Sequence, residues 1–580
     1  MSTVQSRAMS DSQRVCRVAP DVTAVERAFD YVVPEELATR VRVGSIVRVP
    51  LHGRKVRGWV VEDGIASSVP DGLLPLAAAV SDGPPPDVVS LTDWIAWRWC
   101  GPRVAVLRSA SPPNRVVPGT VPPPRAVGPP PGFRVAAQRE PPLHDRRDTV
   151  ERLLAPEGST IVAVADGARA GGLARTLTGR GHQVALVHSD VSDAARTDAW
   201  RRAAAGACVV VGGRLAALAP VPDLRAIVVV DDADEALQEE RVPTWHAREV
   251  LVRRAERAAV PCTVLSPAPS LEALAATAFA IEAPPRDVEI TGWPRTIVVD
   301  RRAEPPGAGL LTDAFANAAR DAHGLVVCVV NRRGRFRLLA CGSCQTLMRW
   351  DRSTDRPLVC DACGATRLRV LRAGVTRLRE ELAALLPGRA VCDVDAATGD
   401  LDLGSADVVV GTEAVFHRAD VRRARPAVVA FLDLDQELLA PRYRAASQAH
   451  WLVTRGAQLL AGRPRSETWL LLQTRVAEHE VVRAVVQGDP AELVDIEAAR
   501  RRALSYPPFG ALAELTGDGA ALTAAAEHLR SLGVDVLGPV DGRALVRAPD
   551  WEMLADLLAL VVPAAKARGR LRVVVDPPRV

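Results

Sequence analysis

The chain has 580 residues, of which 48% are hydrophobic and 24% charged, with a net charge of only +4. These values fit roughly three to five folded domains and exclude a disordered chain or a strongly cationic one. No run approaches the ~18 consecutive apolar residues of a membrane helix, and the start, MSTVQSRAMSDSQRV, lacks an apolar targeting core. A soluble, cytoplasmic protein without membrane contact is expected.

Residues 1–110 read as a first, small β-rich domain. VRVGSIVRVP (41–50) and RKVRGWVVE (54–62) alternate like short strands punctuated by glycine, and TDWIAWRW (92–99) reads as helix. Residues 111–145 are proline-rich, with eleven prolines between 111 and 142. They read as a partly polyproline-like linker that does not pack. From 146 to 282, short buried-strand runs (TIVAVA, QVALVHS, ACVVVG, AIVVVDD, CTVLS) alternate with helical stretches. That pattern predicts a parallel sheet covered on both faces. It restarts over 283–335 and 373–475, through GLVVCVV, ADVVVG and AVVAFLDLD, which makes two α/β lobes in series. A cysteine-bearing insertion, 336–372, interrupts the second lobe. Residues 476–580 read as a smaller α+β domain, with a helix over LTAAAEHLRSL capped by Gly533 and a final strand at LRVVVDPP.

Six of the ten cysteines are scattered, mostly within apolar runs, as thiols of a reduced compartment would be. The other four form CGSC and CDAC, and fifteen residues separate Cys344 from Cys360. Cys341, Cys344, Cys360 and Cys363 therefore match a zinc ribbon holding one Zn²⁺. Four thiolates leave no open coordination position, so this metal is expected to be structural. Redox cysteines and a rubredoxin-like iron site are the other readings of the spacing. Basic flanks, NRRGRFR (331–337) and TRLRVLR (366–372), suit phosphate contact.

Two parallel α/β lobes in series are the plan of a helicase motor. Such a motor needs a loop of the form GxxxxGK[ST], in which amides and the lysine hold the nucleotide phosphates. Lys55 and Lys566 are the only lysines, and neither lies in such a loop. The nearest turn, DGARAGG (166–172), has no lysine and no Ser or Thr for magnesium. Arginine's planar fork fits that nest poorly. The acidic strand end VVVDDADEALQEE (228–240) places Asp231, Asp232 and Asp234 where a motor holds its magnesium and water. Asp231 suits Mg²⁺ through water, whereas Asp232 is short for the catalytic base. The expectation is a degenerate nucleotide site.

The order of these pieces resembles the PriA family, the bacterial primosomal proteins N′ that restart stalled replication forks. AFDYVVPEELATRVRVGSIVRVPLHGRKVRGWVVE (28–62) looks like the family's domain for the 3′ end of the leading strand. On that likeness Phe29, Asp30, Tyr31 and Gly44 form the 3′-end pocket, and Lys55 or Arg54 meets phosphate. An acid there accepts from the free 3′-hydroxyl while aromatics stack on the terminal base. Further segments follow the family's order: VVVGGRLAAL, VPTWHAREV, VVNRRGRFRLLACGSC, VVVGTEAVF, VVAFLDLDQELLAPRYRAA and ALSYPPFGALAEL. The departures are equally specific. The phosphate loop is missing, the DEEH box has become DDAD, the arginine-finger segment is reduced to TRGAQLLAGRPR, and the linker stands where a winged helix is usual. Of the family's usual eight cysteines four remain, from the outer pairs that share one metal. The pattern is similar to the actinobacterial branch that lacks helicase motifs.

The resemblance implies two degenerate, RecA-like helicase-type lobes with the ribbon inserted in the second. It also implies an N-terminal domain that binds branched and single-stranded DNA. The expected function is fork recognition and primosome assembly, with reloading of the replicative helicase and no motor activity. Two alternatives stand beside it: an ATP-dependent 3′→5′ helicase with a degenerate site, and a zinc-ribbon DNA scaffold not tied to forks.

Overall fold

The strands read at 41–62 pair with each other and with three more. The computed structural model describes residues 14–22, 27–67, 72–120, 128–304, 309–330, 336–344, 346–351, 359–360, 362–366, 368–370, 375–394 and 406–580. Its first sheet contains β1 (Val15–Pro20), β2 (Phe29–Val32), β3 (Ile46–Leu51), β4 (Arg54–Asp63) and β5 (Ala78–Ser81). They pair antiparallel in the order β2-β1-β4-β3-β5. His52 and Gly53 turn the β3–β4 hairpin, both at positive φ, the backbone a two-residue hairpin loop favours. Val18, Tyr31, Val47, Val49 and Val60 fill one side. On the other, Trp59 packs with Leu107 from the helix Arg103–Ala110 and Val89 from the helix Pro86–Arg98.

The expectation of an unpacked linker over 111–145 is corrected. Val116 is fully buried, its amide bonded to Ser81 Oγ. β6 (Arg134–Arg139) is the edge strand of the first lobe, paired parallel to β11. Three prolines at 129–131 stop short of that run, and RVAAQR that follows has no proline to break the ladder.

The first lobe continues with β7 (Ser159–Val164), β8 (Val184–Val187), β9 (Val209–Gly212), β10 (Leu224–Val230) and β11 (Pro261–Ser266), in the order β6-β11-β10-β7-β9-β8. Every pairing is parallel, and β7 and β9 are buried throughout, as continuous apolar runs demand. The second lobe opens with β12 (Arg295–Asp300) and β13 (Val326–Val329). It is interrupted by the ribbon strands β14 (Phe336–Cys341), β15 (Leu347–Asp351) and β16 (Leu368–Val370). It resumes with β17 (Val391–Val394), β18 (Val408–Gly411), β19 (Val428–Phe431) and β20 (Trp469–Thr474). Its order, β12-β20-β19-β13-β18-β17, repeats the first lobe strand for strand. The repeat extends to detail. β9 and β18 both read VVVG, and a Cβ on Gly212 or Gly411 would meet the carbonyl of Val187 or Val394 at 1.9 or 2.5 Å. The chain is therefore a multidomain α/β protein with two RecA-like, parallel-sheet lobes in series.

Residues 476–580 do not form one unit. The helices Glu480–Gln487 and Ala491–Ala503 join the second lobe, where Val481, Val482, Val485 and Leu493 enter its core. The final domain is the antiparallel sheet of β21 (Ala511–Gly517), β22 (Asp535–Val540), β23 (Arg543–Ala548) and β24 (Leu571–Val575), ordered β22-β23-β21-β24 and packed with two helices. Its helix Trp551–Lys566 meets the first domain. Trp97 Nε1 donates to Asp556 at 2.9 Å, and Trp94 and Trp97 pack edgewise on Trp551. Beyond β24, residues 576–580 run between the units. Arg98 donates to Asp576 at 2.6 Å, Gln238 to the Asp576 carbonyl at 3.2 Å, and Gln448 to the Pro578 carbonyl at 2.9 Å. Among the described residues no helix is long and apolar enough to cross a membrane.

Candidate functional site

Three places carry the residues singled out in the sequence. The first is the cysteine cluster. β14 delivers Cys341, and the turn after it delivers Cys344. The sulfurs of Cys341 and Cys363 lie 3.5 Å apart, as do those of Cys344 and Cys360. All four ligand atoms fall within 4.8 Å of one another. A disulfide needs about 2.05 Å, whereas thiolates at ~2.3 Å around a tetrahedral ion stand nearly 4 Å apart, so the spacing fits a shared metal. Amides of Ser343 and Cys344 point at Cys341 Sγ at 3.3 and 3.5 Å. Those contacts, the Cys344 amide foremost, hold the Cys341 thiol below its ordinary value and favour the thiolate that binds metal. Of the basic flanks, 331–335, 367 and 371–372 lie outside the described residues.

The second place is the cleft between the lobes. β7 ends at Val164, and the helix Gly167–Gly179 starts three residues later. A nucleotide-binding lobe presents this helix start to phosphate. Here Asp166 caps it, accepting from the Arg169 amide at 2.9 Å. A second carboxylate, Asp190, lies so close to Gly167 that a Cβ there would sit 2.0 Å from its Oδ2. The anion site is thus occupied by the chain's own carboxylates.

Asp231, at the end of β10, is buried with φ of +58°, a conformation Asp tolerates better than most residues. Its carboxylate is enclosed by the Arg146 guanidinium, by Arg169 Nη1 at 3.0 Å and by Gln458 Nε2 at 3.3 Å. Burial opposes its ionisation, but Arg146 and then Arg169 outweigh it and hold the carboxyl below its ordinary value. Arg169 is itself pushed down to about 9, by enclosure first and then by Arg455. Asp232 is fully buried. It accepts from the Ser270 hydroxyl and amide, with Arg248 Nη1 3.4 Å away, and burial drives its carboxyl up. Asp234 accepts from the Ala236 amide at 3.0 Å and pairs with Arg455 of the second lobe.

These residues do not fit a magnesium nucleotide. The carboxylate that would face the ion is saturated by guanidinium groups, and the phosphate position holds carboxylates. The three acids picked out by the sequence are together, but each turns to a different partner. Asp166 and Arg169 lie in the turn DGARAGG, and Arg455 and Gln458 in TRGAQLLAGRPR, but the sequence names neither these nor Arg146 and Arg422 as partners. Arg422 lies 256 residues from Asp166, and no local spacing announces a pair at that separation.

The third place is the N-terminal sheet. Asp30 on β2 accepts from Arg17 Nε at 2.9 Å and from Ser67 Oγ at 2.8 Å. Burial works against its charge, yet Arg17 and Ser67 keep the carboxyl low. Phe29 is half-buried beneath the Arg27 guanidinium, 4.8 Å from the ring centre. Tyr31 is buried in the sheet core, and its hydroxyl donates to the Pro50 carbonyl at 3.1 Å. Gly44 lies at φ +92° against Pro84, whose carbonyl oxygen is 1.8 Å from where a Cβ would be. Lys55 and Arg54 are exposed at the β3–β4 hairpin. Lys55 and Arg54 thus face solvent and Asp30 is held by Arg17 and Ser67, while Phe29, Tyr31 and Gly44 serve packing here.

Residues 17–112 match the family described as the 3′ DNA-binding domain (3′BD) of PriA. The chain is 31% identical to the probable replication restart protein PriA of Mycobacterium tuberculosis, over 91% of both chains. It is 29% identical to the Mycobacterium leprae protein of the same name, over 94% of both. It is 26% identical to the replication restart protein PriA of Bacillus subtilis, over 63% of this chain and 51% of that one. Among solved structures, RecG bound to a three-way DNA junction matches with a TM-score of 0.35 and 13% identity, over 63% of this chain and 43% of that one. A DEAD box protein from Methanococcus jannaschii matches with a TM-score of 0.30 and 11% identity, over 61% and 85%.

Proposed function

We propose, from the premise that this chain belongs to the PriA family of replication restart proteins, that it recognises stalled or abandoned replication forks without being a motor. It binds branched and single-stranded DNA and promotes assembly of the primosome and reloading of the replicative helicase in the cytoplasm. The observation that carries the non-motor part is Asp231, sealed by Arg146, Arg169 and Gln458 in a chain with no lysine at the phosphate turn. Family membership and the match to a 3′ DNA-binding domain support the fork-binding part.

In this reading Asp30 and Lys55 meet the 3′ end. Asp30 accepts from the terminal hydroxyl and Lys55 contacts phosphate, with Phe29 packed behind them. Arg17, already bonded to Asp30, keeps that carboxylate ionised and ready to accept. The four cysteines hold one structural Zn²⁺, which fixes the ribbon in the second lobe.

The test compares fork DNA carrying a free 3′-hydroxyl with the same fork carrying a 3′-phosphate. Tighter binding of the free end, reduced about tenfold by Asp30→Asn, is expected, with no ATP turnover on either DNA. DNA-stimulated ATP hydrolysis that disappears in Asp231→Ala would establish the helicase reading instead. Equal affinity for both forks, unchanged in Asp30→Asn, would leave a zinc-ribbon scaffold with no link to 3′ ends.

A further inference from the structure

The cleft residues described above do more than vacate a nucleotide site. Three acids at the first lobe's edge, Asp166, Asp231 and Asp234, reach a partner in the second. Arg422, in the short helix Ala419–Arg423, donates from both terminal nitrogens to the two oxygens of Asp166, at 2.7 and 2.9 Å. This is the parallel, two-bond geometry that makes an arginine–carboxylate pair strong. Arg455, in the helix Ala445–Leu459, pairs with Asp234 and also donates to the Phe416 carbonyl at 3.2 Å. Gln458, one turn on, reaches Asp231. Away from these, Gln448 donates to Glu235 at 2.9 Å. Arg579 lies between Glu235 of the first lobe, 2.9 Å away, and Glu413 of the second, 3.6 Å away.

The side chains of Asp166, Asp234 and Arg455 are each no more than 6% exposed. A pair in that setting is weakly screened, and removing one member strands the other charge away from water. In a helicase-type pair of lobes, bound nucleotide is what brings the two faces together, because its phosphates contact both. Here carboxylates of one lobe and guanidinium groups of the other supply both halves of that bridge without a ligand.

We propose that the two lobes are latched together by Asp166–Arg422 and Asp234–Arg455, so that they act as one rigid, nucleotide-independent body. The latch stands on this geometry alone and holds whether or not the chain binds forks. A rigid pair of lobes carries the N-terminal domain, the ribbon and the final domain at constant spacing.

Hydrogen exchange on the full chain tests it, read over 165–170 and 231–236 in the first lobe and 412–424 in the second. Wild-type protection there is expected to be the same with and without ATP and Mg²⁺. Arg422→Gln with Arg455→Gln is expected to speed exchange in those segments at least tenfold while β7 and β19 keep theirs. Arg422→Lys with Arg455→Lys, which keeps both charges, is expected to fall in between. Should the glutamine variant unfold throughout, the lysine variant and the ATP comparison still decide. Protection that rises on adding ATP and Mg²⁺, or variants that all exchange like the wild type, would overturn the latch. Neither result depends on DNA, so the outcome is separable from that of the fork assay.

Discussion

Gly44 separates a packing role from a ligand role in the N-terminal domain, and Gly44→Ala tests which it has. The glycine sits at φ +92°, where a residue with a Cβ loses about 1–2 kcal/mol. The new methyl would also stand 1.8 Å from the Pro84 carbonyl oxygen, well inside the 3.0 Å floor of real contacts. Relief requires a backbone shift of more than 1 Å in a Pro84-Pro85-Pro86 run whose φ angles are locked. Asp82, two residues earlier, is buried and tied to Arg42 at 2.9 Å, so the segment cannot simply swing away. Overpacking of this kind adds about 1–3 kcal/mol. The sum is a local destabilisation of about 3 kcal/mol. At 1.4 kcal/mol per factor of ten, that is roughly a hundredfold faster amide exchange in β3 and β4. Binding to a fork with a free 3′ end is expected to weaken as a consequence of the loosened sheet. A Gly44→Ala protein with native exchange in β3 and β4 that nevertheless cannot distinguish a free 3′ end would refute this reasoning. It would move the glycine into the DNA pocket.

Two further outcomes are expected. Zinc measured by mass spectrometry should be one per chain and should be lost in Cys341→Ser, with exchange rising in β14–β16; two ions, or none in the wild type, would be inconsistent with the four-sulfur geometry. His450 is buried beside Trp293, and burial, followed by Arg139, holds its imidazole down to about 4. A folded value below the unfolded one means that protonation favours unfolding, so stability is intact near pH 7 and falls as pH drops from about 6.5 towards 4. By pH 5 this residue alone accounts for about 2 kcal/mol. His450→Phe should remove that share, and equal losses in both proteins between pH 7 and pH 5, by thermal unfolding, would refute it.

The lobes and the metal site were legible because their signals are local. A parallel strand declares itself by a run such as VVVG, and a metal ribbon by two CxxC pairs at a set spacing. The missing lysine of the phosphate loop was equally legible, since that loop is a contiguous motif. The cleft contacts were not. Asp166 opens the turn DGARAGG, and nothing near it names Arg422 as its partner. β6 was missed because the prolines at 129–131 dominate its surroundings, although RVAAQR itself can pair. Tyr31 illustrates the opposite error. Its place in a motif drew it towards the ligand, while the alternation of β2 sends it to the sheet's interior. Phe29, Asp30 and Tyr31 are consecutive, so the side chain of Asp30 points opposite to the other two.

The segment 576–580 bonds to Arg98, to Gln238 of the first lobe and to Gln448 of the second. They follow every strand of the fold in chain order. The first sheet and both lobes are complete in sequence well before them, and each can form as its own strands emerge. The bridges made by Asp576 and Pro578, by contrast, wait for translation to reach them. Newly made chains therefore pass through a stage in which the lobes are folded and these bridges are still missing.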